Sequence, residues 1–356
     1  NDGTCTANIT NNLSNRNVII NGEFQINQRS DKTGVNSSTY TLDRWYFDDG
    51  NGGTYSISKS SDTPDGFAAS IKIDCTSTDS QGSGSYVLLQ QKLEGFNVQR
   101  FAKGTSSAKE FALSFYVKTN KTGVYTVELY DSPNNRSCSK TITVANSNWN
   151  RYTLVFPADT TGSFSNTNTN NLGVNFWLGA GSNYTSGTLN TAWATATLAN
   201  RVSSSNVFMA DSTSNEWFLT GVQLEVGSVA TDFEHRSLAV EKRLCMRYYQ
   251  QYVNLMGAGI VPDNGSRSYN HGFNFPVEFR ATPSFTTTNT GSNGGQIVTD
   301  GSTNASVSSL LSSLMNTESV HFDFNLSTDL VDYRPAMLGQ PQSSTYNTTY
   351  KFSAEL

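Results

Sequence analysis

A nucleophile with a base nearby is offered at three Ser-x-x-Lys spacings, Ser56/Lys59, Ser106/Lys109 and Ser137/Lys140. That chemistry needs the serine at the start of a helix, and Ser56 lies instead in the strand-like run Thr54-Tyr55-Ser56-Ile57. No Gly-x-Ser-x-Gly elbow is present. The three histidines, His235, His271 and His321, have no partner histidine four residues away, so no HExxH-type metal box forms. His321 alternates with Phe322 and shares a face with Asp323, the pattern of a solvated strand face. Asp48-Asp49-Gly50-Asn51 lacks the carboxylate spacing of an EF-hand loop and reads as a turn. Four cysteines at 5, 75, 138 and 245 show no Cys-x-x-Cys pair and no regular spacing, which encodes neither a zinc knuckle nor a dense disulfide framework. Cys75 follows Ile71 and Ile73 in alternation and reads as a small buried residue. No catalytic residue, metal or cofactor is assigned, and a non-enzymatic role is expected.

Sugar binding asks for less. An aromatic ring offers its face to the C–H side of a pyranose while amides and carboxylates take the hydroxyls. Trp177, Tyr184 and Trp193 stand in or beside loop-rich polar sequence and are the glycan candidates of the longer, N-terminal part. Trp177 alternates against Phe176, so one of the two faces away from the inner sheet. Later in the chain, Tyr269-Asn270-His271 and Asp332-Tyr333-Arg334 each join an aromatic ring to hydrogen-bonding neighbours between strand-like segments. Tyr269, His271, Tyr333 and Arg334 are therefore candidates for ligand contact, with packing at a subunit interface as the competing role of either tyrosine.

The elements that must carry these residues are strands. Period-two alternation places successive side chains on opposite faces and recurs in Phe111-Leu113-Phe115-Val117, Tyr152-Leu154-Phe156, Val174-Phe176-Leu178 and Val222-Leu224-Val226. It returns in Phe273-Phe275-Val277-Phe279 and Val320-Phe322-Phe324-Leu326. Clusters of Gly, Ser, Asn and Asp between them favour turns. No internal period of 20 to 50 residues marks a β-helix or propeller. One segment breaks the alternation: with Ser237 able to cap and Val240, Leu244 and Tyr248 recurring every four residues, 237–250 reads as a short helix. The expected fold is all-β, two antiparallel β-sandwich domains of jelly-roll type joined by that helix. The boundaries are a connecting arm at 1–16, a large sandwich at 17–236, the linker helix at 237–250 and a smaller C-terminal sandwich at 251–356.

Composition narrows the partners. The 356 residues carry 24 Lys and Arg against 29 Asp and Glu, a formal charge of −5, which argues against a surface that tracks phosphates. No run of about 18 apolar residues exists to span a bilayer by insertion. Neither nucleic acid nor membrane is an expected partner. Only 15% of residues are charged, so the polar excess is neutral, while 20 Phe, 16 Tyr and 5 Trp argue against disorder along the whole chain. The first residue is Asn, with no charged and apolar leader after it, so the chain is expected to be trimmed or to begin mid-protein.

Three stretches carry a family pattern. Asn17-Val18-Ile19-Ile20-Asn21-Gly22-Glu23-Phe24-Gln25-Ile26-Asn27-Gln28-Arg29 is followed by Tyr40-Thr41-Leu42-Asp43-Arg44-Trp45. Leu219 to Gly227, then Thr231-Asp232-Phe233-Glu234-His235-Arg236, leads into the helix ending Cys245-Met246-Arg247-Tyr248-Tyr249. Phe275-Pro276-Val277-Glu278-Phe279-Arg280-Ala281-Thr282-Pro283 precedes the terminal Phe352-Ser353-Ala354-Glu355-Leu356. Together they resemble bacteriophage tail-fibre and related virion fibre proteins. The first frame is also similar to jelly-roll carbohydrate-binding modules, whose last strand often holds a structural calcium through an acidic residue where Gly221 stands here.

The fibre resemblance implies a non-enzymatic adhesin on a phage tail or capsid surface, assembled in the bacterial host cytoplasm and recognising a host-surface glycan or lipopolysaccharide. It implies attachment to other virion or tail proteins through the N-terminal arm, a distal C-terminal sandwich with Tyr269, His271, Tyr333 and Arg334 as receptor-contact candidates, and a homotrimer with Val240, Leu244 and Tyr248 as interface candidates. A structural fibre or capsid decoration protein that touches no receptor is the first alternative. A carbohydrate-binding module of a secreted enzyme is the second.

Overall fold

A computed structural model describes residues 15–253, 255, 257–261, 266–290, 296–299, 303–327, 329–330, 334–339 and 347–356. The chain is all-β and antiparallel, and it divides into two compact units, Asn1–Glu241 with Leu356, and Lys242–Glu355.

In the first unit the strands are β1 (Lys32–Val35), β2 (Thr39–Tyr40), β3 (Tyr46–Gly50), β4 (Thr54–Ser60), β5 (Ser70–Ser77), β6 (Tyr86–Glu94) and β7 (Phe111–Thr119). They continue as β8 (Gly123–Asp131), β9 (Arg136–Val144), β10 (Asn150–Phe156), β11 (Asn170–Ala180), β12 (Ala194–Thr195) and β13 (Glu216–Val226). Six form one sheet in the order β1-β4-β5-β13-β7-β10, and seven form the other, β12-β9-β8-β11-β6-β3-β2. The alternating apolar residues of both sheets face one another, as a jelly-roll sandwich requires. Ile71, Ile73, Phe111, Phe115, Val117, Leu219 and Leu224 from one sheet meet Phe47, Leu89, Leu129, Val174, Phe176 and Leu178 from the other in a single core.

The segment from Asn17 to Trp45, which carries the family-like motif, closes one edge of that core by side-chain bonds. Asn17 Oδ1 accepts from the N–H groups of Ile19 and Leu224 at 3.0 and 3.1 Å, and its Nδ2 donates to the Val222 carbonyl at 3.1 Å. Gln91 takes both backbone groups of Ile20 at 2.8 Å. Asn21 bonds Ile26 and Asp43, and the Trp45 indole, stacked 4.8 Å from Phe24, donates to the Asn21 carbonyl. These residues hold the opening segment against β13, so the motif has a structural role. Gly221 has a left-handed φ of +62°, and a Cβ there would lie 2.8 Å from the Phe67 ring. Glycine at this position gives the ring room to lie over the strand.

In the second unit β14 (Tyr249–Val253), β22 (Asn347–Ser353) and β17 (Ser284–Thr290) make a three-stranded sheet. The others close into a barrel, β15 (Gly257–Ile260), β16 (Arg267–Asn274), β20 (Ser319–Leu326), β19 (Thr303–Met315), β18 (Gln296–Thr299) and β21 (Pro335–Gly339). The core of this unit is aromatic: Phe275, Phe279, Phe322, Phe324, Tyr350 and Phe352 are buried together. Alternation places side chains on two faces but does not say whether a sheet stays open or curls shut, and here β17 and β22 stay in an open sheet with β14 while six strands close into the barrel.

The helix is shorter than its sequence spacing suggested. It runs Leu238–Met246, and Tyr249 already belongs to β14. Tyr249 pairs with Ser353 of β22 and Gln250 with Phe352, so the sheet takes over where the four-residue spacing alone would extend the helix.

Candidate functional site

The register of the seven-stranded sheet sorts its side chains into two sets. On β11, Trp177 lies across from Thr126 of β8 and Leu88 of β6, Asn175 from Glu128 and Gln90, and Gly173 from Tyr130 and Lys92. Leu88 continues the first row to Asp48 of β3, and Gln90 continues the second to Tyr46. Since Phe176, Leu89, Val127 and Phe47 lie in the core, these intervening residues share the outer face. A face exposed to water on an antiparallel sheet is normally polar. This one mixes aromatic rings with amides and charges, and much of it is covered.

The cover is the stretch between β11 and β13, which opens with a one-turn helix, Ser182–Thr185. Arg201 pins it to the sheet. The guanidinium makes a two-pronged pair with Glu128, Nε to Oε1 and Nη2 to Oε2 both at 2.8 Å, and lies over Tyr130 and Trp177 at 4.8 and 5.1 Å from their ring centres. Glu128 Oε2 also accepts from Asn175 Nδ2 at 2.9 Å and from the Trp177 indole at 3.1 Å. Burial favours the neutral form of Arg201, but the adjoining Glu128 charge outweighs it and holds the pKa above its ordinary value. Further along, Asn206 Oδ1 accepts from Thr126 N–H at 2.7 Å, and Ser203 N–H donates to Thr126 Oγ1 at 3.1 Å.

Between cover and sheet runs a groove of about 330 Å³, within the range of small-ligand sites. Tyr86, Tyr130, Tyr184, Leu88 and Leu198 line it with Asp48, Gln90, Lys92, Asn170, Asn175, Gly173 and Arg201. Gly173 leaves space between Tyr130 and Lys92. Asn175 Oδ1 is buried, has no hydrogen-bond partner, and lies 3.2 Å from where a Cβ on Gly173 would be. Its identity as the oxygen is fixed because the other amide atom donates to Glu128. Asn170 Oδ1 is likewise buried without a partner. Asp48 accepts from Ser38 Oγ at 2.7 Å, Gln90 Nε2 at 3.0 Å and the Tyr86 hydroxyl at 3.2 Å. Burial, then the Asp48 charge, pushes the Tyr86 phenol up to about 12, and burial raises Tyr184 as well. Both hydroxyls stay protonated as donors at neutral pH.

Two of the three sequence candidates in this unit meet here. Tyr184 lines the groove half-exposed, whereas Trp177 is 1% exposed, under Arg201 and against Tyr86 and Tyr184. Trp177 thus supports the groove rather than offering an open face. Trp193 is not part of it. Its ring packs in the core 5.6 Å from Phe111, and its indole donates to the Pro157 carbonyl at 2.8 Å. The weak strand context of Trp193 hid its core position. Glu128, Arg201, Asn175 and Tyr130 were missed, because a charge inside a strand carries the same sequence signal whether its face is open or covered.

In the second unit Tyr269 is half-buried on β16, with its hydroxyl 3.1 Å from Arg267 Nη1. His271 is 1% exposed, with Nε2 2.7 Å from Ser268 Oγ and Nδ1 3.0 Å from the Gly257 carbonyl. Both ring nitrogens are therefore engaged, so its role in this chain is internal. Arg334 is exposed, and Tyr333 lies outside the described residues. The helical stripe does not present one common face: Val240 is 46% exposed, Leu244 is half-buried, and Tyr248 is fully buried beyond the helix end. A ring buried in its own chain has no surface left for a neighbouring copy. Among the described residues no group of three or more His, Cys, Asp or Glu could hold a metal ion, and no helix is long and apolar enough to cross a membrane.

No protein-family model and no curated protein matches the chain. Solved structures similar to it include TmCBM61 in complex with β-1,4-galactotriose, at 9% identity and a TM-score of 0.32, covering 59% of this chain and 99% of that one. A family 11 carbohydrate-binding module from Clostridium thermocellum, in complex with a β-1,3-1,4-mixed-linked tetrasaccharide, is 13% identical with a TM-score of 0.28, covering 58% and 98%. A cyclase from Fischerella sp. TAU is 13% identical with a TM-score of 0.34, covering 59% and 96%. Likeness at this level assigns no role, and function has to be argued from the groove itself.

Proposed function

We propose that the groove over the seven-stranded sheet binds a carbohydrate, without catalysing a reaction on it. The observation that carries this is Asn175 Oδ1, a buried acceptor without a partner in a tyrosine-lined groove. An unpaired buried acceptor costs about 1–3 kcal/mol, and a hydroxyl donor from a ligand would remove that cost. Tyr130, Tyr184 and Tyr86 supply rings for the C–H faces of sugar units, and Asp48, Gln90 and Asn170 supply polar partners.

Titration calorimetry of the full chain against a panel of soluble oligosaccharides and polysaccharides tests it. Tyr130→Ala and Tyr184→Ala should each weaken the measured affinity about five-fold, equivalent to about 1 kcal/mol, with the melting temperature little changed. A panel that gives no binding, or variants that bind as tightly as the native chain, would reject the groove.

The finer setting, a phage fibre that recognises a host-surface glycan as a homotrimer, rests on the resemblance of segments 17–29, 219–236 and 275–283. Several weak sugar contacts on one particle would add through avidity. Multi-angle light scattering is expected to return three times the chain mass; a stable monomer at micromolar concentration would reject the trimer.

A further inference from the structure

We propose that the groove recognises free hydroxyls of a neutral glycan, through a donor and an acceptor that Glu128 sets side by side, and that it rejects uronates and O-substituted chains. This rests on the carbohydrate reading above and names the class of sugar. The Glu128 side chain is 0% exposed. It gathers three donors: Arg201 on both oxygens, and Asn175 Nδ2 with the Trp177 indole on Oε2. Arg201 Nη2 and Asn175 Nδ2 thus meet at one carboxylate oxygen, and each side chain keeps its other end. Arg201 Nη1 has no hydrogen-bond partner among the described residues and is not enclosed. Its position is fixed, because the fork is held on Glu128 and the guanidinium lies over the Tyr130 and Trp177 rings. Asn175 keeps Oδ1, buried and unpaired.

A hydroxyl both accepts and donates, so one sugar hydroxyl, or two on neighbouring ring carbons, can take a proton from Nη1 and give one to Oδ1. A carboxylate only accepts. It would leave Oδ1 unpaired, and so would a methyl ether or an ester. A site built around a hydroxyl discriminates strongly against analogues that lack it. Charge argues the same way: the cations at the groove, Arg201 and Lys92, are matched by the carboxylates of Glu128 and Asp48, which leaves no excess positive charge to draw an anion. Gly173 matters to the acceptor alone. A Cβ there would lie 3.2 Å from Asn175 Oδ1, with the next atom at 3.8 Å.

Titration calorimetry of the full chain at about 20 and about 500 mM NaCl tests this. The neutral probes are mixed-linkage β-glucan, β-1,4-galactan and mannan, each also in O-methylated form, and the acidic ones are polygalacturonate, alginate and hyaluronate. At least one neutral polymer should bind, more weakly to Tyr184→Ala, with an affinity that changes less than about two-fold between the two salt concentrations. Its O-methylated form and the acidic polymers should bind at least about ten-fold more weakly. Gly173→Ala should weaken the neutral polymer about ten-fold with its melting temperature little changed. If no polymer binds, the carbohydrate reading falls and this inference with it. A groove that holds a polyuronate as tightly as a neutral polymer, tolerates O-methylation or loses affinity with salt overturns the hydroxyl assignment alone, as does native affinity in Gly173→Ala. Should Gly173→Ala fail to fold, the probes on the native chain decide by themselves.

Discussion

At Asp49, at the end of β3, the side chain turns inward, 8% exposed, with Oδ1 accepting from Gly52 N–H at 2.8 Å and Oδ2 buried without a partner. Burial lifts the carboxyl from 3.8 to about 6; the Gly52 N–H works against this, and the charges of Asp48 and Asp79 add to it. The folded pKa is above the unfolded one, so the fold favours the protonated form. Its stabilising contribution is complete below about pH 3.8 and is lost as pH rises through about 6. At neutral pH the native unit therefore holds a charge it disfavours, at a cost of about 2 kcal/mol once partial screening is allowed for. Asp49→Asn keeps the acceptor for Gly52 and removes the charge. It should raise the melting temperature of the first unit by a few degrees at pH 7.5 and by little at pH 4; an equal gain at both would show that charge is not the cause.

Among the elements, the cover of the groove depends on one ion pair. Arg201→Ala would leave Glu128 ionised and buried, a change that costs about 3–5 kcal/mol, whereas Glu128→Leu with Arg201→Met removes both charges and should recover most of it. Urea unfolding of the two variants beside the native chain separates these outcomes, and a loss under about 1 kcal/mol in Arg201→Ala would show the pair to be solvated. The strands themselves were legible, since Phe111, Leu113, Phe115 and Val117 alternate in sequence and all lie buried along β7. Glu128 was not. It sits in Thr126-Val127-Glu128-Leu129, whose alternation announces an open polar face, and its partner lies 73 residues away with no local signal to connect them. Half of the groove was visible for the same reason: Trp177 and Tyr184 stand out as aromatic residues, but the buried Asn175 amide between sheet and cover does not. The stripe Val240, Leu244, Tyr248 misled because helix spacing was followed past Met246 into residues that a sheet edge also satisfies.

At the scale of the whole molecule, the two units should answer acid differently. Burial depresses the pKa of His271, against the opposite pull of the Gly257 carbonyl and the Asp323 charge. The fold of the second unit thus favours neutral imidazole, and its stability falls as pH drops below about 6.5 toward the lower folded value. Calorimetry from pH 7.5 to pH 5 should show the melting of the second unit moving down, and His271→Gln should flatten that slope; an unchanged slope would reject the histidine as its source. The side-chain bonds at Asn17 bear on a different property, resistance to mechanical pulling. A force applied through the preceding residues would meet Val18 N–H on the Leu224 carbonyl at 3.0 Å and both ends of the Asn17 amide on β13 at 3.1 Å. Because β13 lies inside its sheet between β5 and β7, these bonds would have to yield together, in shear, before the sandwich felt the load. A tether at this end would then part abruptly at a high threshold instead of peeling away bond by bond.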